Sequence, residues 1–383
     1  MVWTPEFLTD RFTPDHPMNP VRLDLTMRLA RELGVLEGVE LLEPEPAPDA
    51  ELERVHVPSY LKAVRAAPEK GDDPVHGLGT DDNPIFERMH EASCLVCGGS
   101  LLAAREIAEG RAQRAVNIDG GRHHAMPDHA SGFCVYNDCT VAISWLLDHG
   151  FDRIAYVDVD VHHGDGVQAA FYGDQRVLTI SLHQHPLTLW PGTGWPDEYG
   201  EGAATGCAVN VALPPGTADA GWLRAFDAVV PSLLTAFRPQ LLVTQCGADT
   251  HAEDPLADLQ LSVDGHRTIY RELCDLAERT AGGRWLALGG GGYGLYRVVP
   301  RSWTHLLATV LDRDVDPRSS VPGGWVAYAS RLTGLPLPAE MTDGVDGARV
   351  PWLTGTDRVD GAVLGTRRAV FPLHGLDPHD PRD

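Results

Sequence analysis

Ile154-Ala-Tyr-Val-Asp-Val-Asp-Val-His-His-Gly-Asp-Gly166 is the stretch on which the fold reading turns. Val157, Val159 and Val161 alternate with Asp158, Asp160 and His162. Side chains two apart on a strand share a face, so the alternation predicts aliphatics on one face and two carboxylates and an imidazole on the other. Such a face is costly to desolvate unless its groups are paired or bound to a cation. The competing account is an ordinary strand with a solvated polar face. Gly164 and Gly166 argue against it, because they stop the strand and leave the polar face at its carboxyl end, where open α/β sheets bind ligands.

Outward from this strand the chain repeats one grammar. Short apolar strands are expected at Ala115–Ile118, Val177–Leu182, Leu241–Gln245 and Trp285–Leu288. Helical patterns separate them: Ala142, Ile143, Leu146 and Leu147 before Gly150, and a helix from Ser262 to Ala281 with Ser262 as its cap. Strands alternating with helices predict a parallel sheet covered on both faces. Upstream, Asn19-Pro20 opens a helix with Leu25, Leu29 and Leu33 at spacing four, closed by Gly34. Residues 40–84 are rich in Pro, Gly and acid, His76–Pro84 reads as a surface loop with Asp81 and Asp82 at its tip, and a helix is expected from Ile85 to Glu109, broken or tightened near Gly98-Gly99. Residues 1–315 form the expected catalytic domain. Residues 316–383, with a short helix at Trp325–Leu332 and a Pro-rich tail, form an extension packed on it.

Composition removes several classes of function. The 383 residues are 43% hydrophobic and 22% charged, enough for a sizeable core. No apolar run reaches the ~18 residues of a membrane span, and the first residues lack the pattern of a signal peptide, so a cytoplasmic location is expected. A net charge of −23 repels phosphate backbones and anionic lipid, which leaves nucleic acid and membranes as poor partners and favours cationic ones. Seven cysteines, an odd number in such a chain, argue against disulfides. Cys94 and Cys97 have half a zinc site's spacing with no second pair to complete it, and read as small packing residues.

The chemistry-bearing residues fall repeatedly just past strand ends: His123 and His124, Asp160 and His162, Asp249, and Tyr293. Asp160, His162 and Asp249 are two carboxylates and one imidazole, a three-ligand set that leaves positions open on a catalytic zinc. The set alone also suits Fe(II) or Mn(II). Asp158 and Asp165 are available to orient the paired histidines, and Tyr293 follows four glycines that let the backbone pass close to a ligand. Gly132-Phe133 and Trp190 bring aromatics that line a slot for an alkyl chain, with ordinary core packing as the alternative for Trp190. His16, alone in a loop, reads as polar surface.

Gly120-Gly-Arg-His-His-Ala125, Gly132-Phe-Cys134, Asp158-Val-Asp-Val-His-His-Gly-Asp-Gly166, Pro191-Gly-Thr-Gly194, Gly247-Ala-Asp249 and Leu288-Gly-Gly-Gly-Gly-Tyr293 together resemble the histone deacetylase family. The resemblance covers about Asp10 to Leu311. Arg11-Phe-Thr-Pro-Asp-His-Pro-Met-Asn-Pro20 and the Gly77-Leu-Gly-Thr loop look most like the bacterial acetoin-utilisation deacetylases. It implies an arginase/deacetylase fold: a three-layer α/β/α sandwich on a mainly parallel eight-stranded sheet. It implies zinc on Asp160, His162 and Asp249, and His124, backed by Asp165, as general base and acid. It also implies His123, backed by Asp158, as an electrostatic partner, and Tyr293 as the group holding the acyl carbonyl. Gly132, Phe133 and Trp190 would flank an acyl-lysine channel, with Leu256 and Asp82 at its rim. Potassium would sit near Asp158 and Ser181, and Cys134 beside the acetate exit. Acyl-lysine proteins are the implied partners, a metabolic enzyme such as acetyl-CoA synthetase among them. The chain departs from the family in Arg122, where an aromatic is frequent, in Trp190, where phenylalanine is usual, in a rim loop one residue longer, and in His251, a residue that tunes the rim on this reading.

Three rivals are weighed. An acetyl-polyamine amidase calls for an acidic gate where Leu256 stands. A dinuclear manganese ureohydrolase needs a second carboxylate set. A non-catalytic acyl-lysine reader does not need the intact histidine pair and Tyr293.

Overall fold

A computed structural model describes residues 1–9, 12, 13, 15–346, 349–352 and 357–383. Its sheet is built from β1 (Arg114–Asn117), β2 (Ile154–Asp158), β3 (Val177–Gln184), β4 (Ala208–Leu213), β5 (Leu241–Gln245) and β6 (Trp285–Leu288). The strand order is β1-β6-β5-β2-β3-β4, and every pairing is parallel. The helices are α1 (Val21–Glu32), α2 (Asp49–Leu52), α3 (Pro58–Lys70), α4 (Met89–Ala108), α5 (Asp138–Asp148), α6 (Asp165–Phe171), α7 (Asp219–Phe237), α8 (Val263–Thr280), α9 (Val299–Val310), α10 (Gly323–Ala329) and α11 (Arg358–Val370). They pack in two sets: α3 to α6 against one another, and α1 with α7 to α11. The first set reaches the sheet through α4 on β1 and β6, the second through α8 on β5 and α7 on β3. This is the three-layer α/β arrangement expected.

The sheet has six strands among the described residues, not the eight the resemblance implied. Stretches beyond its named strands make only isolated bridges, Val2 with Leu42 and Ala218 with Gln260. Val2 N donates to Val116 O beside β1, but one bond does not propagate into a ladder.

β2 is shorter than its alternating sequence suggested. It ends at Asp158, and all five of its residues are buried, since helices cover both faces. Beyond it, Asp158 Oδ1 accepts from Asp160 N (3.1 Å) and Asp160 Oδ1 accepts from His162 N (3.0 Å). Each carboxylate thereby captures the amide two residues on, which offers the backbone an alternative to the ladder. Asp160 and His162 consequently stand on a turn past the strand end instead of sharing a strand face.

Other boundaries moved for local reasons. Helix α1 starts at Val21, whose N–H is accepted by Asn19 Oδ1 at 3.0 Å, so Asn19 caps although Pro20 precedes the helix. Helix α4 starts at Met89 after Arg88 takes a left-handed conformation, and it runs unbroken through Gly98-Gly99. Within the Pro-, Gly- and acid-rich stretch 40–84, for which no helix was expected, α3 forms with Pro58 at its first position and Tyr60, Leu61, Val64 and Ala67 buried. The short helix expected at Trp325–Leu332 is α10, two residues earlier. The tail around Arg367 is not loop: α11 is capped by Asp357, whose side chain accepts from Asp360 N, and it packs on α7 and β4. Strand β4 and helix α7 had no counterpart in the sequence reading. No described helix is long and apolar enough to cross a membrane, and all seven cysteines are unpaired.

Candidate active site

All strands point one way, so their carboxyl ends form one rim. The chain leaves β2 toward β3 but leaves β5 toward β6 on the other side, so a crevice opens between β2 and β5. Asp160 and His162 follow β2, and Asp249 follows β5. One donor atom from each lies within 4.8 Å of the others, and all three residues are nearly inaccessible to solvent. His162 Nδ1 lies 3.1 Å from Asp160 Oδ1 and 3.2 Å from Asp249 Oδ2. The remaining carboxylate oxygens are held from behind. Asp160 Oδ2 accepts from Gln245 Nε2 (2.7 Å) and Gly291 N (2.8 Å), and Asp249 Oδ1 accepts from Val161 N (2.9 Å). A β-carbon on Gly291 would strike the Asp249 carboxylate, which explains a glycine there.

These residues fit a divalent cation. Two desolvated carboxylates converge on one imidazole nitrogen, an arrangement that lacks charge balance without a cation. Burial raises the Asp249 carboxyl, with Asp160 adding to it, to about 8. Burial alone would lower His162, but its bonds to Asp160 and Asp249 outweigh burial and raise it to about 10. Both shifts mark a site in which a proton stands where a metal would. Two oxygen donors and one nitrogen donor are a set zinc accepts with positions left open.

The paired histidines separate in role. His123 Nδ1 donates to Asp158 Oδ2 at 2.7 Å, and that oxygen also accepts from Tyr156 Oη at 2.7 Å. His124 Nδ1 donates to Asp165 Oδ1 at 2.7 Å. Burial lowers His123, but Asp158 and Asp160 outweigh it and bring it to about 9. His124 falls to about 4 through burial and the charge on His123, which Asp165 only partly offsets. Side by side, one imidazole is charged at neutral pH and the other is free to accept a proton.

Above the histidines the walls are aromatic. The Trp190 ring lies 4.6 Å from His124, edge to face, and Phe133 lies 5.7 Å from Tyr293. Gly132 has φ +51, and a β-carbon there would sit 2.5 Å from His124 and 2.6 Å from Trp190. Only glycine leaves that gap open. Tyr293 is half-buried, and Trp190 is 43% exposed at the mouth, so it is not core. Leu256 is half-buried in the loop after β5, and Asp82 is exposed on its loop, where its carbonyl lies 3.2 Å from His16 Nε2. His16 is buried against Phe12 and Phe133, which corrects its reading as polar surface. Ser181 is the β3 partner of Asp158, and its Oγ lies 2.9 Å from His183 Nδ1. Cys134 is buried, with Sγ donating to Gly132 O. Arg122 turns inward, and its Nη2 donates to Asp119 Oδ1 at 2.7 Å. His251 is buried and pairs with Asp343 of the C-terminal segment, Nε2 to Oδ2 2.9 Å.

Sequence reading missed the groups that support this constellation. Gln245 ends β5 and holds Asp160. Arg22 Nη1 donates to the carbonyls of Gly290 (2.9 Å) and Gly292 (3.1 Å) and steadies the glycine loop. Asp254 accepts from Leu256 N (3.0 Å) and Tyr293 N (2.8 Å), tying rim to tyrosine, and its burial raises it to about 6. A polar residue ending an apolar strand was the available signal for Gln245. Arg22 and Asp254 carried none.

The fold and this rim define a parallel α/β protein with a candidate metal-ligating site at the carboxyl ends of its strands. Residues 16–310 match the family described as the histone deacetylase domain. The acetoin utilization protein AcuC of Bacillus subtilis is 36% identical over 351 residues, covering 90% of each chain, and that of Staphylococcus xylosus is 33% identical over 346 residues, covering 89% of this chain and 90% of its own. A crystal structure of an HDAC homolog from Aquifex aeolicus superposes with a TM-score of 0.83 at 27% identity, covering 95% of this chain and 98% of that one. An HDAC homolog complexed with SAHA gives 0.82 at 28% identity with the same coverage. The chain belongs to the histone deacetylase family: it is a deacetylase with the arginase/deacetylase fold.

Proposed function

We propose that the chain is a zinc-dependent hydrolase that removes acetyl groups from N-ε-acetyl-lysine side chains of proteins. The observation that carries this reading is the stacking of three layers at one rim: the Asp160–His162–Asp249 set, the two carboxylate-backed imidazoles, and the aromatic slot of Phe133 and Trp190. A divalent cation bound to the three ligands would polarise the acyl carbonyl and acidify a water. His124, neutral and oriented by Asp165, takes the proton of the attacking water and delivers it to the departing lysine amine. His123, held charged by Asp158, stabilises negative charge as it develops. Tyr293 donates to the oxyanion, its phenol kept protonated by burial and by Asp249 and Asp160. The slot admits the four-carbon lysine stem and excludes water around the scissile amide. Asp82 holds the substrate backbone at the mouth, and Asp158 and Ser181, paired across β2 and β3, would hold a potassium ion that steadies the loop after β2.

The substrate is read as a lysine in cationic surroundings, because the rim loops carry acids and almost no cations. The names of the AcuC relatives point to acetoin metabolism, and an acetyl-CoA-forming enzyme is a fitting target. Seven unpaired cysteines suit a cytoplasmic setting. The test is acetate release by zinc-loaded protein from an acetyl-lysine peptide and, in parallel, from an acetylated polyamine. Turnover of the peptide is expected. Turnover of the polyamine alone would move the reading to small-molecule metabolism, and turnover of neither would overturn it.

A further inference from the structure

We propose that Glu198 is a positioning residue that locks the Trp190 wall of the acyl channel to the metal-ligand loop; the assignment of that wall to an acyl channel rests on the reading above. Glu198 bonds none of the catalytic constellation, and among the described residues it pairs with no lysine or arginine. Its Oε1 accepts from Gly194 N and Trp195 N, each at 3.1 Å, and its Oε2 accepts from Gly194 N at 3.0 Å. The carboxylate therefore folds the segment after Trp190 back on itself. The same Oε2 accepts from Gln168 Nε2 at 2.8 Å.

That last bond sets the polarity of a chain. With its Nε2 donating to Glu198, Gln168 presents Oε1 as acceptor to Asn210 Nδ2 (2.7 Å) and His163 Nε2 (3.1 Å). His163 then carries its proton on Nε2, so the Thr193 hydroxyl donates to Nδ1 at 2.9 Å. The path runs from the wall loop through Glu198, Gln168 and His163, the neighbour of ligand His162, and returns to the wall loop at Thr193. Gly194 seals it: its carbonyl lies 2.9 Å from His183 Nε2, and a β-carbon there would meet the His183 and His163 rings. Trp190, four residues before Gly194, stands 4.6 Å from His124 and 6.2 Å from His162, so a shift of this loop changes the channel width directly over the base.

The test is a swap. Glu198→Gln puts an amide N–H₂ against that of Gln168, two donors without an acceptor. The double variant Glu198→Gln/Gln168→Glu restores an acceptor opposite each donor. Glu198→Gln is expected to raise KM for an acetyl-lysine peptide about tenfold with kcat changed less than about threefold, the pattern of lost substrate positioning. Hydrogen exchange at the amides of residues 190–195 should quicken in the single variant, and both effects should revert in the double variant. Wild-type KM and wild-type exchange in Glu198→Gln would overturn the proposal. So would a fall in kcat with loss of bound zinc or of folding that the swap does not repair. If the wild-type protein cleaves no acyl-lysine peptide, the proposed function fails by itself, and the exchange measurement still decides whether Glu198 locks the loop.

Discussion

Tyr293 and His162 carry the sharpest single-side-chain expectations. On the proposed mechanism the Tyr293 hydroxyl is one oxyanion donor, so Tyr293→Phe should lower kcat by roughly 100- to 1,000-fold with bound zinc unchanged; acetate release beside metal analysis checks it. The metal site also makes a statement about protons. In the metal-free protein His162 titrates at about 10 and Asp249 at about 8, so both hold a proton at pH 7. The raised His162 pKa favours the metal-free fold at low pH, and that contribution is lost as pH rises through about 10. A cation needs both groups deprotonated, so affinity should run the opposite way and rise from pH 6 to 8. Calorimetry in buffers of different ionisation enthalpy should detect release of about one to two protons per zinc at pH 7. A proton count of zero would mean the carboxylates and imidazole are not the ligands.

Among the secondary-structure elements, the turn after β2 and the terminal helix α11 show what side-chain chemistry does to a chain. The strand ends where Asp158 and Asp160 begin to bind their own backbone, and this places the ligands beyond the sheet instead of across its face. Helix α11 depends on one buried cation. Arg367 donates to Ala228 O on α7 (2.6 Å) and to the carbonyls of Asp377 (3.1 Å), Pro378 (3.0 Å) and Asp380 (2.6 Å), folding the last residues back over the helix. Arg367→Met keeps the stem but orphans those carbonyls, and should cost about 2–3 kcal/mol by denaturant unfolding. Because Arg367 bonds only α7 and the last residues of the chain and none of the metal-ligand candidates, zinc binding should be unchanged. The α3 helix and α11 escaped the sequence reading for one reason: proline and glycine nearby mask an amphipathic pattern that only a partner surface makes decisive.

Charge is distributed across the whole molecule with a direction. Arg114, Arg153, Arg176, Arg238 and Arg284 stand at or just before the amino ends of β1, β2, β3, β5 and β6. Segments 71–87, 123–152, 154–175, 177–223, 239–266 and 285–296, which include most of the loops around the rim, contain neither lysine nor arginine. Of the nearby cations, Arg122 is buried on Asp119 and Arg297 is bonded to Glu253. The mouth is thus anionic, whereas the arginines at the opposite strand ends are matched by acids, Arg114 by Glu278 and Arg176 by Asp174. A peptide with lysines and arginines flanking the acetyl-lysine should show kcat/KM about tenfold above an acid-flanked one at low salt, the two converging toward 0.5–1 M as the screening length falls to a few ångströms. Equal values at low salt would remove electrostatic steering from the account.

The amino-acid sequence alone determined the fold class, the order of the motifs, and which side chains the rim brings together as candidates for metal ligation and proton transfer. These follow from local information: alternation, glycine placement, and residue types whose chemistry is distinctive. It did not determine the charge that each carboxylate-backed histidine carries, that β2 stops at Asp158, that His251 faces Asp343, or that Glu198 and Asp254 tie the loops beside the site. The end of β2 rests on carboxylates that bind the amide two residues on, and the other outcomes on burial and on bonds that reach as far as the 92 positions between His251 and Asp343. An acid looks the same in sequence whether it binds a cation, caps an amide or faces water, and only the packed structure decides which desolvated donor it meets.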